Sequence, residues 1–324
     1  MAKPKIIVYK RVPEIVLEKL QQECEVVYFE RLNNDNFQTF FEELKDAHGL
    51  LGSELKIDSE LLNQAPHLKI VSNIAVGYDN FDMDELTKRN IMATNTPDVL
   101  NETTADTIFG LILATARRFP ELDQFVKNGQ WIKSVEVEEF GVDVHHKTLG
   151  IIGMGGIGSA IAKRAHYGFD MNILYHNRSR NETAEKRYNA KYCSLDELLE
   201  QSDFVCLMTP LTPQTEKLIG EKEFKLMKET AFFINGSRGK TVDEAAMIQA
   251  LKEKEIAGAG LDVFETEPVN KDNPLLSMKN VITLPHIGSA TLETRTNMSL
   301  LAANNLLAGL TGKRPAHLIN EVVM

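Results

Sequence analysis

At 324 residues the chain is about twice the usual domain length, so two domains with separate cores are expected. Hydrophobic residues make up 43% and charged residues 25%, the balance of a water-soluble globular protein, and no apolar run approaches the ~18 residues a membrane span needs. Asp and Glu outnumber Lys and Arg by 46 to 36, a net charge of -10 that argues against nonspecific nucleic-acid binding.

In chain order, the first hundred residues alternate β-rich runs with helical patterns. Strands are predicted at 6–9, 26–29, 49–51, 68–74 and 93–95, with helices at 14–22 and 35–44, the second capped by Asp35. Strands alternating with helices imply a parallel sheet covered on its faces. A long helix is predicted over 103–128. A second series follows, with strands at 148–152, 172–175, 204–208, 231–235, 258–262 and 281–284, which together make a doubly wound sheet. A final helix over 291–310 comes after that sheet is complete and is expected to return to the first domain. Cys24, Cys193 and Cys206 are odd in number and widely spaced, with no C-x-x-C pair. That excludes a disulfide framework or a cysteine-built zinc site and fits a reducing cytoplasm. The opening residues lack the apolar core of a secretory signal, so a cytoplasmic location is expected.

The first chemical signal is Gly153-Met154-Gly155-Gly156-Ile157-Gly158, between the strand 148–152 and a helix over 157–166. G-x-G-x-x-G alone is weak, but a strand before it and a helix after it are the context a dinucleotide site needs. Such a turn lets backbone N–H groups approach a pyrophosphate at the positive end of the helix. An enzyme for NAD usually carries Asp or Glu about 20 residues on, to accept from the ribose 2′-hydroxyl. Here Asn177 stands nineteen residues past Gly158, followed by Arg178, Ser179 and Arg180. Without an acid there, the two arginines suit a 2′-phosphate, so NADP(H) is the expected cofactor and NAD(H) the alternative.

Three further segments sit at predicted strand ends, where ligands bind in open α/β sheets. They are Asn235-Gly236-Ser237-Arg238-Gly239, then 262–268 with Glu267, then Pro285-His286-Ile287-Gly288-Ser289-Ala290. A lone Arg is usually a surface residue, and a lone His after Pro is usually structural. Arg, Glu and His delivered to one rim behind a dinucleotide fingerprint make a carboxylate anchor, a supporting acid and a proton carrier. Adjacent His145 and His146 diverge and cannot share a metal, and none is expected.

These segments, with Val76-Gly77-Tyr78-Asp79, Asn95-Thr96-Pro97-Asp98-Val99-Leu100 and the residues 300–309, resemble the D-isomer-specific 2-hydroxyacid dehydrogenase family. Within it the chain is most similar to glyoxylate/hydroxypyruvate reductases, including bacterial 2-ketogluconate reductases. The resemblance implies a Rossmann-type cofactor domain, 102–289, inserted in a smaller flavodoxin-like α/β substrate domain, 1–101 with 290–324. It implies a homodimer joined mainly through the nucleotide domain, with no nucleic-acid or membrane partner. It also implies NADPH-dependent reduction of a small 2-oxo acid such as glyoxylate, hydroxypyruvate or 2-ketogluconate to the D-2-hydroxy acid. In that reading His286 protonates the carbonyl oxygen, Glu267 holds the imidazole, Arg238 grips the carboxylate or polarises the carbonyl, and Val76 and Gly77 complete the anion cradle. Thr104, Ile157, Thr209, Pro210, Ser237, Arg238, Asp262, His286 and Gly288 become further cofactor contacts, Asp262 accepting from the nicotinamide carboxamide. Trp131 matches a tryptophan that reaches the neighbouring subunit's site in similar reductases. Two alternatives are an NAD-dependent dehydrogenase for a lactate- or phosphoglycerate-type acid and a dinucleotide-sensing binding protein of the same fold.

Overall fold

A computed structural model describes residues 3–322. The chain divides into two compact units, one made of the residues up to Leu100 together with those from Ala290 onward, the other Asn101–Ser289. The first unit holds β1 (Lys5–Val8), β2 (Glu25–Tyr28), β3 (Gly49–Gly52), β4 (Ile70–Asn73) and β5 (Met92–Thr94). All pairs are parallel and the order is β2-β1-β3-β4-β5, the flavodoxin-like arrangement. One face of this sheet closes over a core that includes Ile7, Phe40, Leu50, Ile57 and Val71.

The helix Leu292–Leu310 returns to this unit and packs on β3, β4 and β5. Thr291 caps it by accepting from the Thr294 N–H at 3.2 Å. The helix lies close because Gly309 has no side chain: a Cβ there would stand 2.6 Å from Ile70. Two buried polar ties fix its register, Ser72 Oγ donating to the Ala302 carbonyl at 2.8 Å and Asn305 Nδ2 to the Asn95 carbonyl at 3.2 Å.

The second unit holds β6 (Thr148–Ile152), β7 (Asn172–His176), β8 (Lys191–Tyr192), β9 (Phe204–Leu207), β10 (Phe232–Asn235), β11 (Gly258–Leu261) and β12 (Val281–Thr283). The order is β12-β11-β10-β9-β6-β7-β8, all parallel, which is the doubly wound pattern. Alternate residues feed opposite cores: Phe204 and Cys206 enter one, Val205 and Leu207 the other. Burial pushes the Cys206 thiol up to about 12, so it behaves as a small hydrophobe. The three cysteines are all buried and free.

Several expected bounds shift. The doubly wound sheet has a seventh strand, β8, which is only two residues long. The helix expected over 103–128 is two helices, Asn101–Ala116 and Phe119–Lys127. The chain turns at Arg118, whose backbone is left-handed with φ 56°. Pro120 has no N–H to give to the preceding turn, so it suits a helix start and not an interior. Arg118 secures the corner by bonding both oxygens of Glu121 at 2.8 Å. Asp35 caps nothing; the helix begins at Phe37, and Asn33 Oδ1 instead ties the turn by accepting from the N–H groups of Asp35 and Asn36. No helix among the described residues is long and apolar enough to cross a membrane.

Candidate active site

Because every strand of the second unit runs the same way, the loops after β6, β7, β9, β10, β11 and β12 share one edge of the sheet. Gly153 leaves β6 at φ +105°, a conformation that favours glycine, and a Cβ there would stand 2.7 Å from the Met208 backbone. The helix Gly156–Phe169 then starts close under the turn, so a Cβ on Gly158 would lie 2.3 Å from the Gly153 carbonyl oxygen. At Gly155, the N-cap, nothing lies within 4 Å of where a Cβ would be. Open space over the first helical turn, with its outward N–H groups, fits a pyrophosphate. Beside the turn, the Thr209 hydroxyl is buried with no partner among the described residues, which also fits a missing ligand. Gly158→Ala should therefore lower the melting temperature by about 2–12 °C, the consequence of ~1–3 kcal/mol of overpacking. A thermal melt checks this, and an unchanged midpoint would mean the turn tolerates a side chain.

The loop after β7 is organised differently from a simple pair of exposed arginines. Asn177 turns back onto the glycine loop, its Oδ1 accepting from the Met154 N–H at 2.7 Å. Arg180 bonds both oxygens of Glu185 at 2.9 and 2.8 Å, an acid the spacing argument did not place near it. Glu185 also accepts from the Tyr175 hydroxyl at 2.6 Å, and that hydroxyl accepts from the Asn181 N–H at 2.7 Å. Arg180 and its neighbours hold Glu185 below the usual carboxylate range. Arg178 and Ser179 are exposed, and Arg178 has no ion-pair or hydrogen-bond partner among the described residues.

At the other end of the rim, β10 delivers Ser237 and Arg238. The Ser237 hydroxyl lies 2.9 Å from Asn235 Oδ1 and 3.2 Å from Thr241 Oγ1, so it stabilises its own turn. The Arg238 carbonyl accepts from Asn235 Nδ2 and Thr241 Oγ1, while its guanidinium donates to the Ser237 carbonyl at 2.9 Å. After β11, Asp262 is only 2% exposed. Its two oxygens accept from the N–H groups of Ile287 and Gly288 at 2.7 and 2.8 Å, which anchors the loop carrying His286. Burial raises the Asp262 carboxyl above its ordinary range despite those two bonds. Thr104, buried, lies against the same loop, its Cγ2 3.1 Å from where a Gly288 Cβ would be.

His286 itself has φ 53°, in the left-handed region that histidine enters more readily than most side chains. Its Nδ1 lies 2.7 Å from Glu267 Oε2. Glu267 Oε1 in turn accepts from the Phe264 N–H at 3.0 Å. Burial opposes ionisation of Glu267, but the His286 and Phe264 bonds and the Arg238 charge outweigh it and hold the carboxyl below its usual range. An ionised Glu267 on Nδ1 sets the ring orientation and leaves Nε2 as the outward nitrogen. Pro210 is exposed and Ile157 half-buried, both next to the glycine turn in sequence or along the rim.

Val76 and Gly77 belong to the first unit, in the loop after β4. Their carbonyls are held by Asn95 Nδ2 at 2.8 Å and Asn73 Nδ2 at 2.7 Å. Their own N–H groups donate to no acceptor among the described residues, which is what an anion cradle requires. Asn73 is not marked by any sequence motif, and Asn95 only as part of the segment 95–100; an Asn directly at a strand end is the available signal. No group of three His, Cys, Asp or Glu among the described residues is arranged to hold a metal.

The chain is similar to known proteins. Residues 109–288 match the family described as D-isomer specific 2-hydroxyacid dehydrogenase, NAD binding domain. The chain is 51% identical to glyoxylate/hydroxypyruvate reductase B of Escherichia fergusonii over 321 residues, 99% of each chain. It is 50% identical to the protein of the same name from Klebsiella pneumoniae, again over 99% of each chain. Among solved structures it is similar to an NADPH-dependent glyoxylate/hydroxypyruvate reductase from Sinorhizobium meliloti in complex with NADP and malonate. That match has a TM-score of 0.86 and 34% identity, and covers 100% of both chains. With a doubly wound sheet, a glycine turn shaped for a dinucleotide and a His–Glu pair on the same rim, the chain belongs to the D-isomer specific 2-hydroxyacid dehydrogenase family, NAD(P)-dependent oxidoreductases of 2-hydroxy acids.

Proposed function

We propose that the protein uses NADPH to reduce glyoxylate and hydroxypyruvate, and also 2-ketogluconate, to the D-2-hydroxy acids. The observation that carries this is the His286–Glu267 pair, 2.7 Å apart on a rim that also holds Arg238 and the glycine turn, in a chain half identical to reductases of that name. The first unit takes the substrate and the second the cofactor. When bound, the dinucleotide supplies the hydride. Arg238 grips the carboxylate or polarises the carbonyl. The N–H groups of Val76 and Gly77 suit an anion. His286 gives its Nε2 proton to the carbonyl oxygen as the carbon is reduced, and Glu267 stabilises the imidazolium before that transfer. Asp262 and Thr104 keep the His286 loop in place.

Arg178 carries the choice of NADPH, because Arg180 is already paired with Glu185. Each charge-assisted bond contributes about 1.5–3 kcal/mol. Arg178→Ala should then weaken NADPH about 10- to 100-fold and leave NADH nearly unchanged. Fluorescence titration of both reduced cofactors on wild type and variant tests this together with the oxidation of NADPH by glyoxylate. A wild type that prefers NADH, or a variant weakened equally for both, would make the loop a solvated surface.

The protein is proposed to act as a homodimer joined through the second unit. Supporting this, the segment 119–142 exposes a run of apolar side chains, with Trp131 61%, Val137 76% and Ile132 87% exposed. Exposed apolar side chains gathered in one segment suit an interface better than open solvent. Trp131 is therefore a surface residue of the second unit, in keeping with a reach toward a neighbouring subunit.

A further inference from the structure

We propose that Lys10, Ser53 and Glu54 form a polar subsite that reads the hydroxyl groups on the carbon chain of a 2-oxo acid, and so set preference for a polyhydroxylated substrate over glyoxylate. The proposal rests on the 2-oxo acid reductase reading above and adds the residues that would select among its substrates.

The first argument is topological. In the order β2-β1-β3-β4-β5 the chain leaves β1 for β2 on one side and later passes to β3 on the other. The loops after β1 and β3 therefore part, and ligands of such sheets bind in the crevice outside these two strand ends. Lys10 stands two residues past β1, and Ser53 and Glu54 follow β3 directly. The register places them together, since Val8 pairs with Leu51 and the Tyr9 N–H donates to the Leu51 carbonyl.

The second argument is the chemistry of the cluster. Lys10 Nζ donates to Ser53 Oγ at 2.5 Å and to Glu54 Oε1 at 2.6 Å, and Ser53 Oγ lies 3.3 Å from the same oxygen. An ammonium has three donors and a carboxylate two oxygens. One donor of Lys10 and Oε2 of Glu54 remain for a ligand, beside a hydroxyl that both donates and accepts. A paired cation and anion of this kind suit uncharged hydroxyls, which donate and accept in the same way. Arg295, on the return helix, adds its charge near Glu54. Glu54 has φ 72°, a left-handed backbone unusual for Glu, held in place at this strand end.

The third argument is spacing within the first unit. Val76 and Gly77 follow β4, and β4 neighbours β3. Strands lie about 4.8 Å apart, so Ser53 and Glu54 are about 5 Å along the rim from the carboxylate cradle and Lys10 about 10 Å. The far carbons of a six-carbon sugar acid extend over that distance. Glyoxylate ends at its carbonyl and reaches none of it.

The experiment compares kcat/KM for 2-ketogluconate and for glyoxylate, with NADPH, in wild type, Lys10→Met and Glu54→Gln, with a thermal melt of each. Expected is a fall of about tenfold or more in the ratio of 2-ketogluconate to glyoxylate in both variants, carried mainly by KM for the sugar acid. Unoccupied hydrogen-bonding groups in a site shaped for hydroxyls discriminate on at least that scale. A ratio unchanged in both variants overturns the proposal, as does an equal loss on both substrates with a lowered melting temperature. A wild type active on glyoxylate but not on 2-ketogluconate also overturns it and leaves the reductase reading standing. A wild type that reduces no 2-oxo acid with either cofactor overturns the reductase reading and the proposal with it.

Discussion

His286→Ala should lower turnover in 2-oxo acid reduction about 100-fold or more, the usual contribution of a positioned general acid. NADPH binding should survive, because the imidazole is remote in sequence and strand order from the glycine turn that meets the pyrophosphate. The companion change is Glu267→Gln. Glu267 is held ionised by the His286 bond, the Phe264 N–H and the Arg238 charge. Glu267→Gln should lower turnover about tenfold or more, since the amide no longer offers Nδ1 a charged acceptor and the ring loses its fixed orientation. Steady-state turnover, with cofactor binding measured separately by fluorescence, checks both variants. Near-normal turnover in His286→Ala would remove this residue from the chemistry.

Arg238→Lys should cost about 100-fold in kcat/KM toward 2-oxo acids although the charge is kept. A guanidinium presents a planar fork that can bond both oxygens of a carboxylate, and an ammonium cannot reproduce it. Losing one or two charge-assisted bonds, each about 1.5–3 kcal/mol, gives a loss on that scale. The turn itself should hold, because the bonds of Asn235 and Thr241 to the Arg238 carbonyl are kept and only the guanidinium's bond to the Ser237 carbonyl is changed. A melt that stays within a few degrees of wild type, with the loss confined to catalytic efficiency, is the expected result. A collapsed melting temperature with normal activity per folded molecule would make Arg238 structural.

Much of the architecture was legible locally. Strand runs such as Thr148–Ile152 and Phe204–Leu207 stand out because central parallel strands are buried on both faces and read as unbroken apolar stretches. The two-residue strand Lys191–Tyr192 did not, since two exposed residues carry no periodicity. The corner at Arg118 was missed because apolar spacing continues through it, and only the position of Pro120 marks a new helix start. Asp35 has the chemistry of a cap, but Asn33 had already closed the turn.

The sequence alone determined the chemistry available to this protein. Gly153 to Gly158, Arg238, Glu267 and His286 are recognisable because each sits at a strand end and a glycine turn or a His–Glu pair needs those residue types whatever surrounds them. It also determined the family, since the motifs recur in order along nearly the whole chain. Only the tertiary structure decided which partners these groups have. Asp262 holds the His286 loop, Glu185 engages Arg180 and leaves Arg178 exposed, and Asn73 and Asn95 fix the carbonyls of the Val76–Gly77 loop. The physical reason is that a side chain's charge and hydrogen-bonding capacity are properties of the residue. Its pairing depends on directions and distances between segments far apart in sequence, and those exist only once the sheets have formed.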